Sequence, residues 1–134
     1  MSVVARLLVL LPLLWAEGVW AVDCPQSNYE LTTQADVDAL GATGCDRVSG
    51  NLRINRFFSD IINLDGLAKL TSVGGDLYIQ GNPDLTNLDG LAKLTSVGGD
   101  LYIQGNPNLT NLDGLAKLTS VGGDLYIGGA DPVP

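Results

Sequence analysis

The sequence predicts a mainly β protein in which about four coils of 24 residues stack as a solenoid behind a helical cap stapled by a disulfide. The stretch NLDGLAKLTSVGGDLYIQGNP begins at Asn63, begins again at Asn87, and begins a third time at Asn111, where the match runs to Ile127. Each copy contains the segment DLYI, followed by Gln in the first two copies and by Gly128 in the third, and its alternating polar and apolar residues indicate a strand with one buried face. A repeat of about 20–50 residues is typical of solenoids and related arrays.

The first residues of the chain have the layout of a secretory signal peptide. Arg6 precedes the apolar run Leu7–Trp15, and Ala21 closes a V-W-A cleavage site. A membrane anchor is the alternative, but the apolar run is short for a bilayer and Glu17 lies at its far end. The sequence therefore predicts a leader at residues 1–21 and a mature chain without a transmembrane segment, secreted or held at the cell surface or in the periplasm.

The next segment, residues 22–47, is predicted to be an N-terminal cap. Cys24 and Cys45 are the two cysteines of the chain, and such a pair normally forms a disulfide after export. Two free thiols are the weaker alternative, and a metal site is weaker again because no further Cys or His is available to complete it.

A short helix is predicted between the two cysteines, in the stretch TTQADVDALG. Thr33 is the expected N-cap, Asp36 lies in the first turn, and Gly41 is the expected stop. A cap of this kind is what the open end of a repeat array requires.

The array itself is predicted to span residues 48–128. A diverged first copy, VSGNLRIN from Val48, matches VGGDLYIQ from Val73 and is one residue longer in period because of an insertion near Phe57 and Phe58. Strands are predicted near Asn51–Asn55, Asp76–Gln80, Asp100–Gln104 and Asp124–Gly128.

Between strands the chain is predicted to turn around a core. The GNP after the strands at Asp76–Gln80 and Asp100–Gln104 is a turn signal, and the Gly98–Gly99 pair predicts a sharp corner before the next strand. Apolar residues then fall at every third position, namely Leu85, Leu88, Leu91, Leu94 and Val97. One copy buries too little apolar surface to offset its ordering entropy, so the copies must stack to fold. Residues 129–134 are predicted to be an unstructured tail of a truncated chain.

The frame of the repeat resembles that of the receptor L domain, which is leucine-rich-repeat-like. In the second copy it consists of Gly75, Leu77, Ile79, Asn82, Leu85, Leu88, Leu91, Leu94 and Val97. The resemblance covers Val48–Ile127 and is greatest to exported microbial members. It implies a right-handed β-helix and a non-catalytic domain that presents a sheet face to its ligand.

Stacking in register turns single residues into columns, and the outer face of the sheet is the candidate ligand site. Its predicted residues are a tyrosine column with a cation at its end, Arg53, and a neighbouring amide column under Asn55. One interpretation is an aromatic and amide strip that binds a glycan or a peptide, and the other is a ladder that only stabilises the sheet. The column residues are Tyr78, Tyr102 and Tyr126, with Gln80 and Gln104 beside them.

Two acidic columns are also predicted. Asp76, Asp100 and Asp124 have no evident cation, and a solvated charged column is the prediction there, with calcium as the alternative, so no metal site is assigned. The other column is expected to form ion pairs with lysines four residues on. It consists of Asp65, Asp89 and Asp113, followed by Lys69, Lys93 and Lys117.

Two further sequence features bear on function. Asn108 begins NLT, a formal acceptor for N-glycosylation in a cell that glycosylates exported asparagines. A threonine column of Thr71, Thr95 and Thr119 suggests ice binding as a function, but the Tyr and Gln residues on the strand argue against it.

Composition excludes several functions. The formal charge of −8 argues against a nucleic-acid partner. The absence of His and of a nucleophile beside a base argues against catalysis, and no motif indicates a cofactor. The sequence therefore predicts an extracellular recognition or adhesion module that binds a glycan or a protein. The alternative is a structural spacer, or a fragment of a larger surface receptor, without a ligand of its own. The oligomeric state is left open.

Overall fold

A computed structural model describes residues 21–55 and 60–128. The predictions for residues 1–20 and 129–134 and for the insertion near Phe57 and Phe58 lie outside the described residues. The described part contains one helix, α1 (Gln34–Ala42), and strands β1 (Tyr29–Leu31), β2 (Arg47–Val48), β3 (Leu52–Asn55), β4 (Ser72–Val73), β5 (Leu77–Gln80), β6 (Ser96–Val97), β7 (Leu101–Gln104), β8 (Ser120–Val121) and β9 (Leu125–Ile127).

All strand pairs are parallel and belong to two sheets. The larger sheet has the order β1-β3-β5-β7-β9, and the smaller has the order β2-β4-β6-β8. Leu77 is in register with Leu101, and Leu101 with Leu125, so each exact copy adds one strand to each sheet at a spacing of 24 residues. The predicted mainly β fold, with strands paired between copies, is confirmed.

The core is formed by the inward side chains of both sheets and of the turns between them. Leu77 and Ile79 on β5 are fully buried, while the intervening Tyr78 is half-buried, as the predicted alternation requires. The apolar residues at every third position of the second copy, from Leu85 to Val97, are also buried and belong to the same core. Each turn includes a short 3-10 helix, at Asp65–Leu67, Asp89–Leu91 and Asp113–Leu115.

The cap contains the disulfide between Cys24 and Cys45. Thr33 is the N-cap of α1, and its side chain accepts a hydrogen bond from the Asp36 amide at 3.1 Å. The Asp36 carboxylate accepts in return from the amides of Thr32 and Thr33, which completes a capping box. Both predictions, the disulfide and the start of the helix, are confirmed.

The predicted stop at Gly41 is wrong, because α1 continues to Ala42 and the left-handed residue after it is Gly44, with φ 73°. Gly41 has a different reason to be glycine. A β-carbon at this position would collide with the carbonyl oxygen of Gly66, so Gly41 allows α1 to approach the first 3-10 turn closely.

The chain bends at Gly98–Gly99 between β6 and β7, as predicted, and the pair also serves close approach. The glycines with left-handed backbone after the strands are Gly81 and Gly105, with φ 67° and 70°. A β-carbon on Gly98 would collide with the carbonyl oxygen of Gly74 in the preceding copy. One on Gly99 would collide with the Asp76 carboxylate, so the glycine pair is required by the stacking itself.

The smaller sheet and strand β1 were not predicted from the sequence. The strands of the smaller sheet have two residues each, too few for an alternation of polar and apolar residues to be visible. β1 lies in the predicted cap yet pairs with β3, with Glu30 opposite Arg53. The larger sheet therefore begins inside the cap segment, one strand before the first recognisable copy.

Candidate ligand-binding face

The tyrosine column on the outer face of the larger sheet is a continuous stack of rings. The ring centroids of Tyr78 and Tyr102 are 5.1 Å apart, with an interplanar angle of 7°. Those of Tyr102 and Tyr126 are 5.6 Å apart, with an angle of 36°. Tyr102 therefore has a ring on both sides, and its two faces are largely occupied within the protein.

Arg53 closes the N-terminal end of this column. Its guanidinium carbon lies 4.9 Å from the centroid of the Tyr78 ring, so the predicted cation–π contact is present. Glu30 lies opposite Arg53 in the strand register and extends the column by one exposed acidic residue. The place of Glu30 in this column was not predicted, because β1 was not recognised as a strand.

The predicted amide column lies two residues further along the same strands. Gln80 is in register with Gln104, and Asn55 is in register with Gln80. Both glutamines are half-exposed. The outer face therefore carries phenolic hydroxyl groups next to side-chain amides, all of which both donate and accept hydrogen bonds.

The first acidic column is a hydrogen-bonded ladder rather than a row of solvated charges. The Asp76 carboxylate accepts from the backbone amide of Asp100 at 2.8 Å, and the Asp100 carboxylate accepts from the amide of Asp124 at 2.7 Å. Asn28 and Asn51 play the same role in the first two steps, each accepting from the residue at the next level at 2.8 Å. These side chains join neighbouring copies, which explains a column without cations.

The second acidic column does not form the predicted ion pairs. Among the described residues, no salt bridge joins the carboxylates of this column to the lysines four residues further along the chain. The salt bridge that the described residues do contain lies outside the column and links Arg47 to Asp23. The backbone amides of these aspartates instead donate hydrogen bonds to the side-chain oxygens of the asparagines two residues earlier. The pairs are Asp65 with Asn63, Asp89 with Asn87, and Asp113 with Asn111. Nor do the described residues contain a cluster of three or more side chains suited to hold a metal ion.

A comparison with protein families identifies the fold. The family model described as Receptor L domain matches residues 44–129, which is more than half of the chain. This chain belongs to the receptor L domain family. Receptor L domains are extracellular, non-catalytic, ligand-binding domains, and the disulfide of this one fits that location. No curated protein matches the chain, and no solved structure matches it.

In the described part of this receptor L domain, no helix combines the length and the apolarity that crossing a bilayer requires.

The electrostatics of the outer face centre on Tyr78. Burial raises the pKa of its hydroxyl above the ordinary value, and the negative charge of Asp76 raises it further. Arg53 acts in the opposite direction but does not outweigh these effects. Tyr78 is therefore a neutral hydrogen-bonding group at neutral pH.

Two asparagines are buried, which their place in the repeat frame and in the GNP turn did not predict. Asn82 is 0% and Asn106 6% exposed. The Asn82 side chain donates to the carbonyl oxygen of Ile54 at 2.9 Å and to the Asn106 side-chain oxygen at 3.1 Å, and Asn106 donates to Ile79 at 2.9 Å. The sequence signal for this role was the recurrence of asparagine at the same position of both copies. A turn alone would tolerate several other residues there.

The threonine column has a similar structural use. Thr95 donates its hydroxyl to the carbonyl oxygen of Thr71 at 3.0 Å, and Thr119 donates to that of Thr95 at 3.1 Å. These hydroxyl groups are engaged between copies, which further weakens the interpretation as an ice-binding surface. Asn108 is exposed, and its side chain donates to the carbonyl oxygen of Pro83 at 2.6 Å.

Proposed function

We propose that this L domain is a non-catalytic extracellular recognition module that binds a glycan or a protein on the outer face of its larger sheet. The observation that carries the proposal is the tyrosine column, which sets three aromatic residues in register on an outward face beside a column of amides. The proposed site residues are Arg53, Tyr78, Tyr102, Tyr126, Gln80 and Gln104.

The stacking of the rings defines what such a ligand contacts. Because Tyr102 has Tyr78 on one side and Tyr126 on the other, its ring faces are not free to stack on a sugar ring. A ligand lying across the column meets ring edges and hydroxyl groups instead. Recognition would therefore depend on hydrogen bonds to the tyrosine hydroxyls and the glutamine amides.

Replacement of Tyr102 by Phe tests this proposal. The substitution keeps the stacked ring and removes the hydroxyl, so the unfolding free energy should change little while binding weakens. The probe is a printed glycan array, read with and without calcium, followed by an array of extracellular proteins. Lys93→Ala, an exposed change remote from the face, is the matched control and should bind like the parent chain.

Absence of signal on both arrays, or equal binding by the parent chain and Tyr102→Phe, would count against recognition on this face. The second candidate, a structural spacer or a fragment of a larger surface receptor, predicts that outcome. It is favoured by the same stack, since aromatic ladders stabilise parallel sheets without any ligand. Under the spacer hypothesis Tyr102→Ala lowers stability and changes no binding.

We also propose the architecture and the export route that the repeats suggest. The parallel register supports about four coils wound as a right-handed solenoid, of the kind found in exported microbial proteins, with residues 22–47 as the cap. Residues 1–21 would be the leader, residues 129–134 the tail, and Asn108 a glycan acceptor where the host has that machinery. Sequencing the N-terminus of exported protein tests the leader, and a start at any residue other than Val22 would contradict it.

A further inference from the structure

The C-terminal end of the domain exposes apolar side chains that are buried further inside. Leu125 is 57% and Ile127 49% exposed, whereas Leu101 and Ile103, their partners in register, are 1% and 2% exposed. The turn before them is affected as well, and its apolar residues are only half-buried. These are Leu109, Leu112, Leu115, Leu118 and Val121.

The backbone of β9 is an open edge at the same place. Further inside, the Leu77 amide donates to the carbonyl of Asp100, and the Leu101 amide donates to that of Asp124, both at 2.8 Å. No strand among the described residues follows β9 to receive the corresponding amide of Leu125. A hollow of about 170 Å³ opens beside this edge, with Leu112 and Ile127 in its lining.

At the opposite end β1 is also an edge strand, but its inward side chain, Leu31, is only 3% exposed. Helix α1 lies against the first 3-10 turn, where the carbonyl of Val37 approaches Gly66 so closely that a β-carbon would collide. The exposed helix residues are Ala35, Asp38, Ala39 and Ala42, so this surface has no large apolar side chain and carries one carboxylate. A head-to-tail stack would press the apolar C-terminal end against the charge of Asp38, which is an unfavourable pairing.

We propose that the C-terminal end binds a second copy of this chain, tail to tail about a two-fold axis, with β9 pairing antiparallel to β9 of the partner subunit. The strand Leu-Tyr-Ile has apolar residues on both sides of Tyr126. Antiparallel pairing centred on Tyr126 therefore places Leu125 opposite Ile127 of the partner subunit and keeps every apolar side chain on the core side.

The extent of the exposed set favours a whole copy over a single added peptide strand. It runs from β9 through the last 3-10 turn to β8, and one strand would cover only the part at β9. A self-complementary patch about a two-fold axis is also the commonest way in which identical chains associate. The tyrosine column would continue across the interface, since Tyr126 would meet its own counterpart.

The interface is small, which determines how the dimer should behave. A coil of 24 residues at about 3.3 Å per residue encloses a cross-section on the order of 400 Å², which is the area that the end of the stack offers to a partner. Stable interfaces bury about 800 Å² per partner. The dimer should therefore dissociate on dilution.

Sedimentation velocity over a dilution series of the purified chain tests the proposal. We expect a reversible monomer–dimer equilibrium, and we expect Ile127→Lys to weaken dimerisation at least tenfold by placing a charge in the interface. Ile62→Lys is the matched control, because Ile62 is 54% exposed and lies outside the C-terminal end. A chain that stays monomeric at every concentration, or equal effects of the two variants, would overturn the proposal.

Cysteine cross-linking tests the register separately. Opposed residues in an antiparallel pair have α-carbons about 4.5–5.5 Å apart, within the range for a disulfide. Tyr126→Cys should give a covalent dimer on mild oxidation, and Tyr102→Cys, one strand further in, should not. Equal cross-linking of both variants, or none with Tyr126→Cys, would contradict antiparallel pairing centred on residue 126.

Discussion

At the scale of single residues, the polar side chains of each copy mainly bind the next copy. Asp76 and Asp100 accept backbone amides from the following level, and Asn51 does the same one level earlier. Asn and Asp are interchangeable in this role because each offers a side-chain oxygen at the same distance from the backbone. A repeated aspartate is therefore evidence for stacking here, and it carries no implication of a metal.

Replacing Asn82 by Ala should lower the unfolding free energy by about 1–3 kcal/mol, because the buried carbonyl of Ile54 and the side-chain oxygen of Asn106 lose a donor. Chemical denaturation followed by circular dichroism measures the change. Gln80→Ala on the outer face is the control and should be nearly neutral. Equal losses from both changes would show that the asparagine ladder contributes nothing specific.

Tyr78 predicts a loss of stability in alkali. Its pKa is raised by folding, so its contribution is complete below about pH 10, the unfolded value, and is lost as the pH rises through the higher folded value. Unfolding free energies measured across this range should fall. The absorbance of ionised tyrosine should include one residue, Tyr78, that ionises above the ordinary pH. Tyr78→Phe should flatten the profile, and an unchanged slope would contradict this assignment.

At the scale of elements, the exact repeats predicted the long strands to within about one residue, and the rest depended on contacts that a pattern does not contain. Gly41 looked like a helix stop, yet its role is to admit the carbonyl of Gly66. β1 was missed because three residues show no periodicity. The 24-residue period was sufficient to predict the tyrosine and glutamine columns. It could not predict that the neighbouring rings cover the faces of Tyr102, because this depends on the side-chain torsion angles.

The capping box of α1 predicts an acid-sensitive cap. Hydrogen bonds from Thr32 and Thr33 lower the pKa of Asp36, so its contribution is present above about pH 3.9, the unfolded value, and is lost as the pH falls through the lower folded value. Asp36→Asn should remove this part of the acid dependence. Unfolding measured between neutral and acid pH tests it, with Asp38→Asn as control. Identical profiles for the two variants would contradict the assignment.

At the scale of the whole molecule, the described residues form a stack of paired parallel strands with different ends. Helix α1 and the disulfide lie at the first level, whereas the apolar side chains of β9 at the last described level are about half-exposed. Nearly all of the core follows from one copy placed against the next, because the inward residues of each copy meet identical residues. We therefore expect the copies to fold as one cooperative structure and a single copy to remain unfolded.

Removal of one complete copy tests the stacking in register most directly. Deleting Asn87–Thr110 removes 24 residues and joins Thr86 to Asn111 with the same sequence around the junction. Deleting Asn87–Gly98, half a copy, is the control. We expect the full deletion to unfold cooperatively with a smaller denaturant slope and the half deletion to lose cooperative folding. Equal behaviour of the two deletions would contradict the account.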